Sequence, residues 1–185
     1  KSSILSQKDF DRAKETIQFI KDKKWNSALK TAAKVKDKEF RNLINWMHLK
    51  TTKNGASFNE YKKFIEQNGD YPRINRIRYL AEEKIYLRNN SPTSVISWFE
   101  KYPPLGGLGK IKLAEAYLEQ GKTEKVKELI KDGWITAAIR KNDLGYYRAK
   151  FKKFIDSDDH IKRADYLAWE RKYWDLKRML KYLPK

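Results

Sequence analysis

Residues 98–122 read WFEKYPPLGGLGKIKLAEAYLEQGK, and the middle of this segment interrupts a long series of helical patterns. Pro103-Pro104 stops one helix, and Gly106-Gly107-Leu108-Gly109 follows at once. Closely spaced glycines can also form a phosphate loop, in which backbone N–H groups converge on the anion. Such a loop normally joins a strand to a helix and ends in Gly-Lys-Ser/Thr, and this segment has neither feature. We therefore predict a corner between helices, where glycines permit close packing.

Composition indicates a folded chain with a very polar surface. Of the 185 residues, 40% are hydrophobic, 14% aromatic and 36% charged, and the mean hydropathy is −0.88. An elongated stack of helices exposes more side chains than a compact globule, so this balance favours a stack. No apolar run approaches the roughly 20 residues that span a membrane. The absence of cysteine excludes disulfides and thiolate metal sites.

Apolar residues recur at helical spacing throughout, and no segment resembles a strand. The longer helices are expected to begin near residues 37, 72, 107 and 143, each followed by a shorter one. A step of about 35 residues holding two antiparallel helices is typical of an α-solenoid. We predict an all-α fold, a degenerate helical-hairpin superhelix of about ten or eleven helices. It is expected to form one domain over residues 1–185, as part of a longer protein.

Residues that start and stop helices agree with this periodicity. Ser57-Phe58-Asn59-Glu60 predicts a capping box. Pro72 and Pro92 suit the first turn of a helix, and Ser91 can cap the second of these. Three glycine-containing segments suit helix ends that need a left-handed residue, namely Asn54-Gly55, Asn68-Gly69 and Gly121.

Candidate metal and nucleophile sites are sparse. The two histidines, His48 and His160, show no metal-binding spacing. A packing or surface role is favoured for His48, and His160 is expected at the start of a helix. The carboxylates of DSDDHIKR suggest a calcium site, but the central glycine and terminal glutamate of a calcium-binding loop are absent. These carboxylates instead suit the start of a helix, whose dipole favours negative charge; they are Asp156, Asp158 and Asp159.

Paired carboxylates and tryptophans are the remaining candidates. Glu82 and Glu83 point about 100° apart on a helix, so acid–base catalysis is less favoured than an ion pair of Glu82, for instance with Arg78. Tryptophans can stack on bases or sugars, yet four of them lie where burial in the core is expected: Trp25, Trp98, Trp134 and Trp169. We therefore expect no catalytic, cofactor-binding or metal-binding residue in the chain, and no cofactor.

The formal net charge of +18 has two interpretations. A polyanionic partner, such as nucleic acid, anionic lipid or an acidic polymer, would be attracted by it. An AT-rich coding sequence would also produce it, because the excess falls mainly on lysine and is spread along the chain. We do not expect nucleic acid to be the partner.

Three segments together resemble the N-terminal superhelical domain of soluble lytic murein transglycosylases. The first is ASFNEYKKFIEQNGDYPRINRIRYLAEEKI, the second is residues 98–122 with the following LIKDGW, and the third is DHIKRADYLAWERKYWDLKRML. The residues that carry the resemblance in the outer two segments are Phe64, Tyr71-Pro72, Arg78, Ala81-Glu82, Asp159, Arg163, Asp165 and Trp169. The resemblance covers most of Phe40 to Leu180.

This resemblance implies a periplasmic setting and a curved or ring-like helical wall. Family members carry a C-terminal lysozyme-like domain that cleaves the bond between N-acetylmuramic acid and N-acetylglucosamine and leaves a 1,6-anhydro end. This sequence has no Glu-Ser pair and no Gly-Leu-Met-Gln stretch, and it stops at LKYLPK. The resemblance therefore implies a non-catalytic scaffold whose groove orients peptidoglycan glycan strands or a protein partner. The alternative is a stand-alone scaffold, similar to tetratricopeptide proteins, that holds a helix or an extended peptide.

Overall fold

A computed structural model describes residues 5–184, and within them the predicted all-α fold of helical hairpins is confirmed. Eleven α-helices and one 3₁₀ helix follow one another, and these residues contain no strand. The helices are α1 (Gln7–Lys21), α2 (Trp25–Ala32), α3 (Lys38–Lys50), α4 (Phe58–Gln67), α5 (Ile74–Glu82), α6 (Pro92–Lys101), α7 (Gly107–Glu119), α8 (Thr123–Thr136), α9 (Lys141–Lys150), α10 (Ser157–Trp169) and α11 (Tyr173–Met179), followed by the 3₁₀ helix Leu180–Tyr182.

The observed helix starts follow the predicted step. Helices α3, α5, α7 and α9 begin at residues 38, 74, 107 and 141, close to the four predicted positions. The expected alternation of long and short helices is wrong, because α8 has 14 residues against 13 in α7. No helix within residues 5–184 is both long and apolar enough to cross a membrane.

The chain divides into two compact units, the first ending at Leu80 and the second beginning at Ala81. In the first unit, α1 packs on α2, α2 on α3 and α3 on α4. Its core is formed by fully buried apolar side chains that include Val35, Ile44, Tyr61, Ile65 and Ile77. The expectation of a single solenoid domain over residues 1–185 stays a prediction.

The second unit is built around the hairpin of α7 and α8. Helix α6 packs on α7, α8 packs on α10, and α10 packs on α11. Trp134, Phe151 and Met179 are completely buried at the centre of its core. Burial of large apolar side chains of this kind contributes roughly 1.5–3 kcal/mol each to stability.

The same turn closes three hairpins, α1–α2, α7–α8 and α10–α11. In each, the residue after the helix cap is left-handed, with φ of 59° at Lys23, 70° at Gly121 and 55° at Arg171. The next N–H then bonds a carbonyl five residues earlier, as from Lys24 to Phe19 at 2.8 Å. This is the Schellman arrangement, which satisfies the free carbonyls at a helix end. The prediction for Gly121 is therefore confirmed.

The prediction of a left-handed glycine at the ends of α3 and α4 is wrong. At both ends an asparagine side chain donates hydrogen bonds to the free carbonyls instead. Gly55 and Gly69 are not left-handed. The Asn54 amide donates to the carbonyls of His48, Leu49 and Thr51 at the end of α3. The Asn68 amide donates to the Phe64 carbonyl of α4 at 3.0 Å.

Helix starts follow the predicted capping chemistry in most places. The capping box of Ser57 and Glu60 is present, and Ser91 caps α6 with Pro92 as its first residue. The expectation for Pro72 is wrong, because α5 begins two residues later, at Ile74. Pro72 lies in the preceding turn, and its carbonyl accepts a hydrogen bond from the Trp46 indole at 2.8 Å.

The glycine-proline segment forms the predicted corner between α6 and α7, and a carboxylate of the chain occupies it. Glu82 accepts hydrogen bonds from the N–H groups of Leu105 at 2.6 Å and Gly106 at 3.2 Å. A Cβ on Gly109 would lie 2.5 Å from a Glu82 oxygen, and one on Gly107 would lie 2.5 Å from the Ala137 nitrogen. The amino end of α7 thus binds an anion, as helix starts do, and that anion is Glu82.

Candidate binding groove

A polar groove crosses α2, α3 and α4 in the first unit. It comprises a depression of 360 Å³ and an adjoining one of 230 Å³, which have five lining residues in common. These five are Leu29, Asn42, Asn45, Lys63 and Gln67. We call this surface the amide groove.

Helical spacing brings these side chains together. On α3, Lys38, Asn42 and Asn45 are separated by four and three residues and therefore share one face. Lys63 and Gln67 are four residues apart on α4 and share a face in the same way. Asp37 accepts from the Phe40 N–H at 2.7 Å and fixes the start of α3, while the capping box fixes the start of α4.

The polar side chains of the amide groove are not engaged with the protein. Within residues 5–184, no hydrogen bond or ion pair involves the side chains of Asn42, Asn45 or Gln67, or those of Lys38 or Lys63. Amide groups both donate and accept hydrogen bonds, whereas ammonium groups only donate. The groove therefore offers amide recognition together with positive charge.

The other charged residues that line the groove already form hydrogen bonds within the protein. Arg41 donates to the carbonyls of Val35 at 2.6 Å and Lys36 at 2.7 Å, so it stabilises the turn before α3. Glu60 accepts from the Ser57 N–H at 2.8 Å in the capping box. The charge available to a ligand therefore comes from Lys38 and Lys63, and it favours an anion.

Both histidines are placed in packed positions. His48 is 7% exposed, lies 5.2 Å from the Trp25 ring and contributes to the wall of the amide groove. His160 lies on α10, where its Nδ1 accepts a hydrogen bond from the Trp134 indole at 3.1 Å. Burial, and then the nearby Arg148, lower the pKa of His160.

The acidic segment before His160 starts a helix, as predicted. Asp156 caps α10, and Asp159 bonds back to the Asp156 N–H at 3.1 Å. The helix-start hydrogen bond from Asp159, and then the Lys131 ammonium, lower the pKa of Asp156. No group of three or more metal-binding side chains occurs within residues 5–184.

Glu82 and Glu83 have different surroundings. Glu82 is 3% exposed and holds the corner before α7, whereas Glu83 is half-buried and pairs with Arg140 at 3.5 Å. The suggested pair of Glu82 with Arg78 stays a prediction.

The expected burial of tryptophan is confirmed at two positions and wrong at one. Trp98 is 4% exposed and Trp134 is completely buried, while Trp25 is half-buried. Trp169 is 88% exposed. It follows the buried Leu167 by two residues, and a helix turns by about 200° over two residues, so its ring points away from the core.

The sequence did not indicate the role of one buried charged residue. Arg163 is 1% exposed and donates to the carbonyls of Trp134 and Ala137, where α8 ends. Burial lowers the pKa of this guanidinium to about 10. The amides of the amide groove gave no signal, because polar residues at helical spacing are typical of an ordinary solvated face.

Comparisons with known proteins place the chain in no family: no protein-family model, curated protein or solved structure matches it.

Proposed function

We propose that this chain is a non-catalytic helical scaffold of a periplasmic lytic transglycosylase, and that its amide groove holds peptidoglycan. The parent activity would be cleavage between N-acetylmuramic acid and N-acetylglucosamine with a 1,6-anhydro product. In this proposal the scaffold positions the strand, and the reacting groups belong to a catalytic module. The sequence resemblance suggests the parent family, and the unengaged side chains of the amide groove are the structural observation that supports binding.

The chemistry of peptidoglycan suits these side chains. Its sugars carry N-acetyl amides, and its peptide stems carry further amides and free carboxylates. Asn42, Asn45 and Gln67 can pair with the amides, and Lys38 and Lys63 can pair with the carboxylates. Because these side chains have no partner among the described residues, binding would break no protein hydrogen bond.

Co-sedimentation with purified murein sacculi at low salt tests the proposal. We expect the chain to sediment, and Lys63→Glu to weaken its affinity by about tenfold, since a charged contact is worth about 1.4 kcal/mol or more. The matched control is Lys62→Glu, which makes the same charge change on the same helix outside the groove. Equal losses in both variants, or no sedimentation of the unmodified chain, would contradict binding in the groove.

The same incubation tests the absence of catalysis. The soluble fraction is expected to contain no 1,6-anhydro-muropeptides. Their release by the purified chain would show that it has a catalytic site of its own.

A protein-interaction scaffold is the second candidate, because free asparagine and glutamine side chains can also pair with the backbone of an extended peptide. Recovery of one stoichiometric protein in a pull-down, together with no affinity for sacculi, would favour this candidate. Loss of that partner in Asn45→Leu would locate it in the amide groove.

A further inference from the structure

A second cleft lies in the second unit, on the surface of α7 and α9. Its volume is 270 Å³, and its walls are formed by Tyr86, Leu87, Arg88, Glu115, Asp143, Tyr146 and Tyr147. Since one water molecule takes up about 30 Å³ of liquid, the space suits a ligand of amino-acid or dipeptide size. We call it the tyrosine cleft.

A buried lysine lies behind the walls of the tyrosine cleft. Lys112 of α7 is 2% exposed, and its Nζ lies 4.1 Å from the ring centre of Tyr86 and 5.2 Å from that of Tyr147. Within residues 5–184, no hydrogen bond or ion pair engages this ammonium group. Attraction to aromatic faces compensates only in part for the lost hydration of a buried cation. An anion that reached Lys112 would therefore be bound favourably.

The neighbouring carboxylate does not supply that anion, because it is already paired. Glu115 accepts a hydrogen bond from the Tyr146 hydroxyl and lies 3.3 Å from the Lys150 ammonium. Lys150 also lies 2.7 Å from Glu119. Glu115 is thus held by a network beside the cleft.

Two charged groups on the cleft wall make no ion pair within residues 5–184, although both lie close enough to Lys112 to shift its pKa. Arg88 is exposed and lies 4.9 Å from the Tyr86 ring centre, and it makes no ion pair. Asp143 lies in the first turn of α9, half-buried, and its carboxylate makes neither a side-chain hydrogen bond nor an ion pair. The wall of the cleft therefore presents one available cation, Arg88, and one available anion, Asp143, and the ammonium of Lys112 lies buried behind this wall.

We propose that the tyrosine cleft binds a small zwitterion, an amino acid or the end of a short peptide with one carboxylate and one ammonium group. The carboxylate pairs with Arg88 and is attracted by the charge of Lys112 behind the wall, the ammonium pairs with Asp143, and the tyrosine rings contact the side chain. Opposite charges placed this way select a zwitterion over a simple anion, because a ligand without the ammonium leaves Asp143 unpaired. This site is separate from the amide groove and does not depend on the function proposed for it.

Three dipeptide probes separate the two charges. Alanyl-alanine carries both, its N-acetyl form carries only the carboxylate, and its C-terminal amide carries only the ammonium. Each is titrated into the full chain up to about 50 mM, a range that detects millimolar affinity, and backbone amide shifts are followed by NMR. We expect saturable shifts around Leu87, Asp143 and Tyr146 with alanyl-alanine, and affinities at least about fivefold lower with the other two probes.

Substitutions test which residue of the cleft interacts with each charged group of the ligand. Lys112→Met should weaken alanyl-alanine and its N-acetyl form, whereas Asp143→Asn should weaken alanyl-alanine and leave the N-acetyl form unchanged. Lys162→Met, at an exposed position on α10, is the control. If Lys112→Met loses its dispersed spectrum, Asp143→Asn carries the test by itself. Unsaturable shifts with all three probes, or equal affinity for alanyl-alanine in Asp143→Asn and the unmodified chain, would overturn the proposal.

Discussion

Among single residues, Glu82 stabilises the corner before α7, a role that its position in the sequence does not indicate. Its carboxylate accepts two backbone N–H groups at the corner before α7, and it is 3% exposed. Removing the acceptor from buried donors costs about 1–3 kcal/mol, and more where the acceptor is charged. We expect Glu82→Ala to lower the free energy of unfolding by about 2–3 kcal/mol in urea denaturation.

Glu83 is a natural control for this change, because it lies next to Glu82 and differs in its contacts. It makes only a 3.5 Å pair with the exposed Arg140, so Glu83→Ala should cost less than about 1 kcal/mol. If the two variants unfolded at the same urea concentration, the carboxylate of Glu82 would not be holding the corner.

Lys112 makes the free energy of unfolding depend on pH. Burial lowers its pKa from 10.5 to about 8, and the groups that face it act in both directions. Glu115 and Asp143 raise its pKa, while Arg140 and Arg88 lower it. Between these two pKa values the unfolded chain binds more protons than the folded chain, so this residue makes stability rise with pH there.

The contribution of Lys112 can be isolated with Lys112→Met, which removes the titrating group and keeps the apolar stem. From pH 8 to pH 10, the free energy of unfolding of the unmodified chain should rise by about 2 kcal/mol relative to the variant. Urea unfolding of both proteins at the two pH values measures this difference. A difference that does not change with pH would mean that Lys112 keeps its ordinary pKa in the folded chain.

At the level of elements, the left-handed turn that closes three hairpins provides a second stability test. Lys23 and Arg171 adopt a backbone conformation that is unfavourable for any residue with a Cβ, whereas Gly121 adopts it freely. Lys23→Gly and Arg171→Gly should therefore stabilise the chain by about 0.5–1 kcal/mol each, and Gly121→Ala should destabilise it by about 1 kcal/mol.

Thermal unfolding of these turn variants is compared with that of Gly55→Ala. Nothing lies within 4 Å of a Cβ built at Gly55 or at Gly121, so neither substitution creates a clash. Gly55 is not left-handed, and its replacement should not destabilise the chain through this conformation. Equal losses at the two glycines would show that backbone conformation is not the cause.

The elements also show how far sequence reasoning extends. Helix starts were predictable because capping uses particular residues at fixed spacing, as at Ser57 and Glu60. The turn at Lys23 was not, because lysine rarely adopts the left-handed conformation and no residue type marks such a turn in advance. The amide groove and the tyrosine cleft were missed for a related reason. Whether Asn42 or Lys112 has a partner depends on which helices meet, and periodicity does not determine that.

For the whole molecule, the net charge of +18 has to be separated from the charge of the amide groove. A field spread over the entire surface attracts any polyanion, and its effect falls steeply with ionic strength. A groove that also pairs with amides retains part of its affinity at high salt, since neutral hydrogen bonds are little screened.

We therefore expect two polyanions to respond differently to salt and to mutation. Single-stranded DNA should bind weakly and lose most of its affinity between about 50 and 200 mM salt. Because its binding depends only on the overall charge of the protein, Lys62→Glu and Lys63→Glu should weaken it equally. Murein sacculi should retain measurable binding over that range and respond mainly to Lys63→Glu. Titration of both ligands at the two salt concentrations makes the comparison. DNA affinity that depended on Asn45 and Lys63 would instead make the amide groove a nucleic-acid site, and the peptidoglycan proposal would then be wrong.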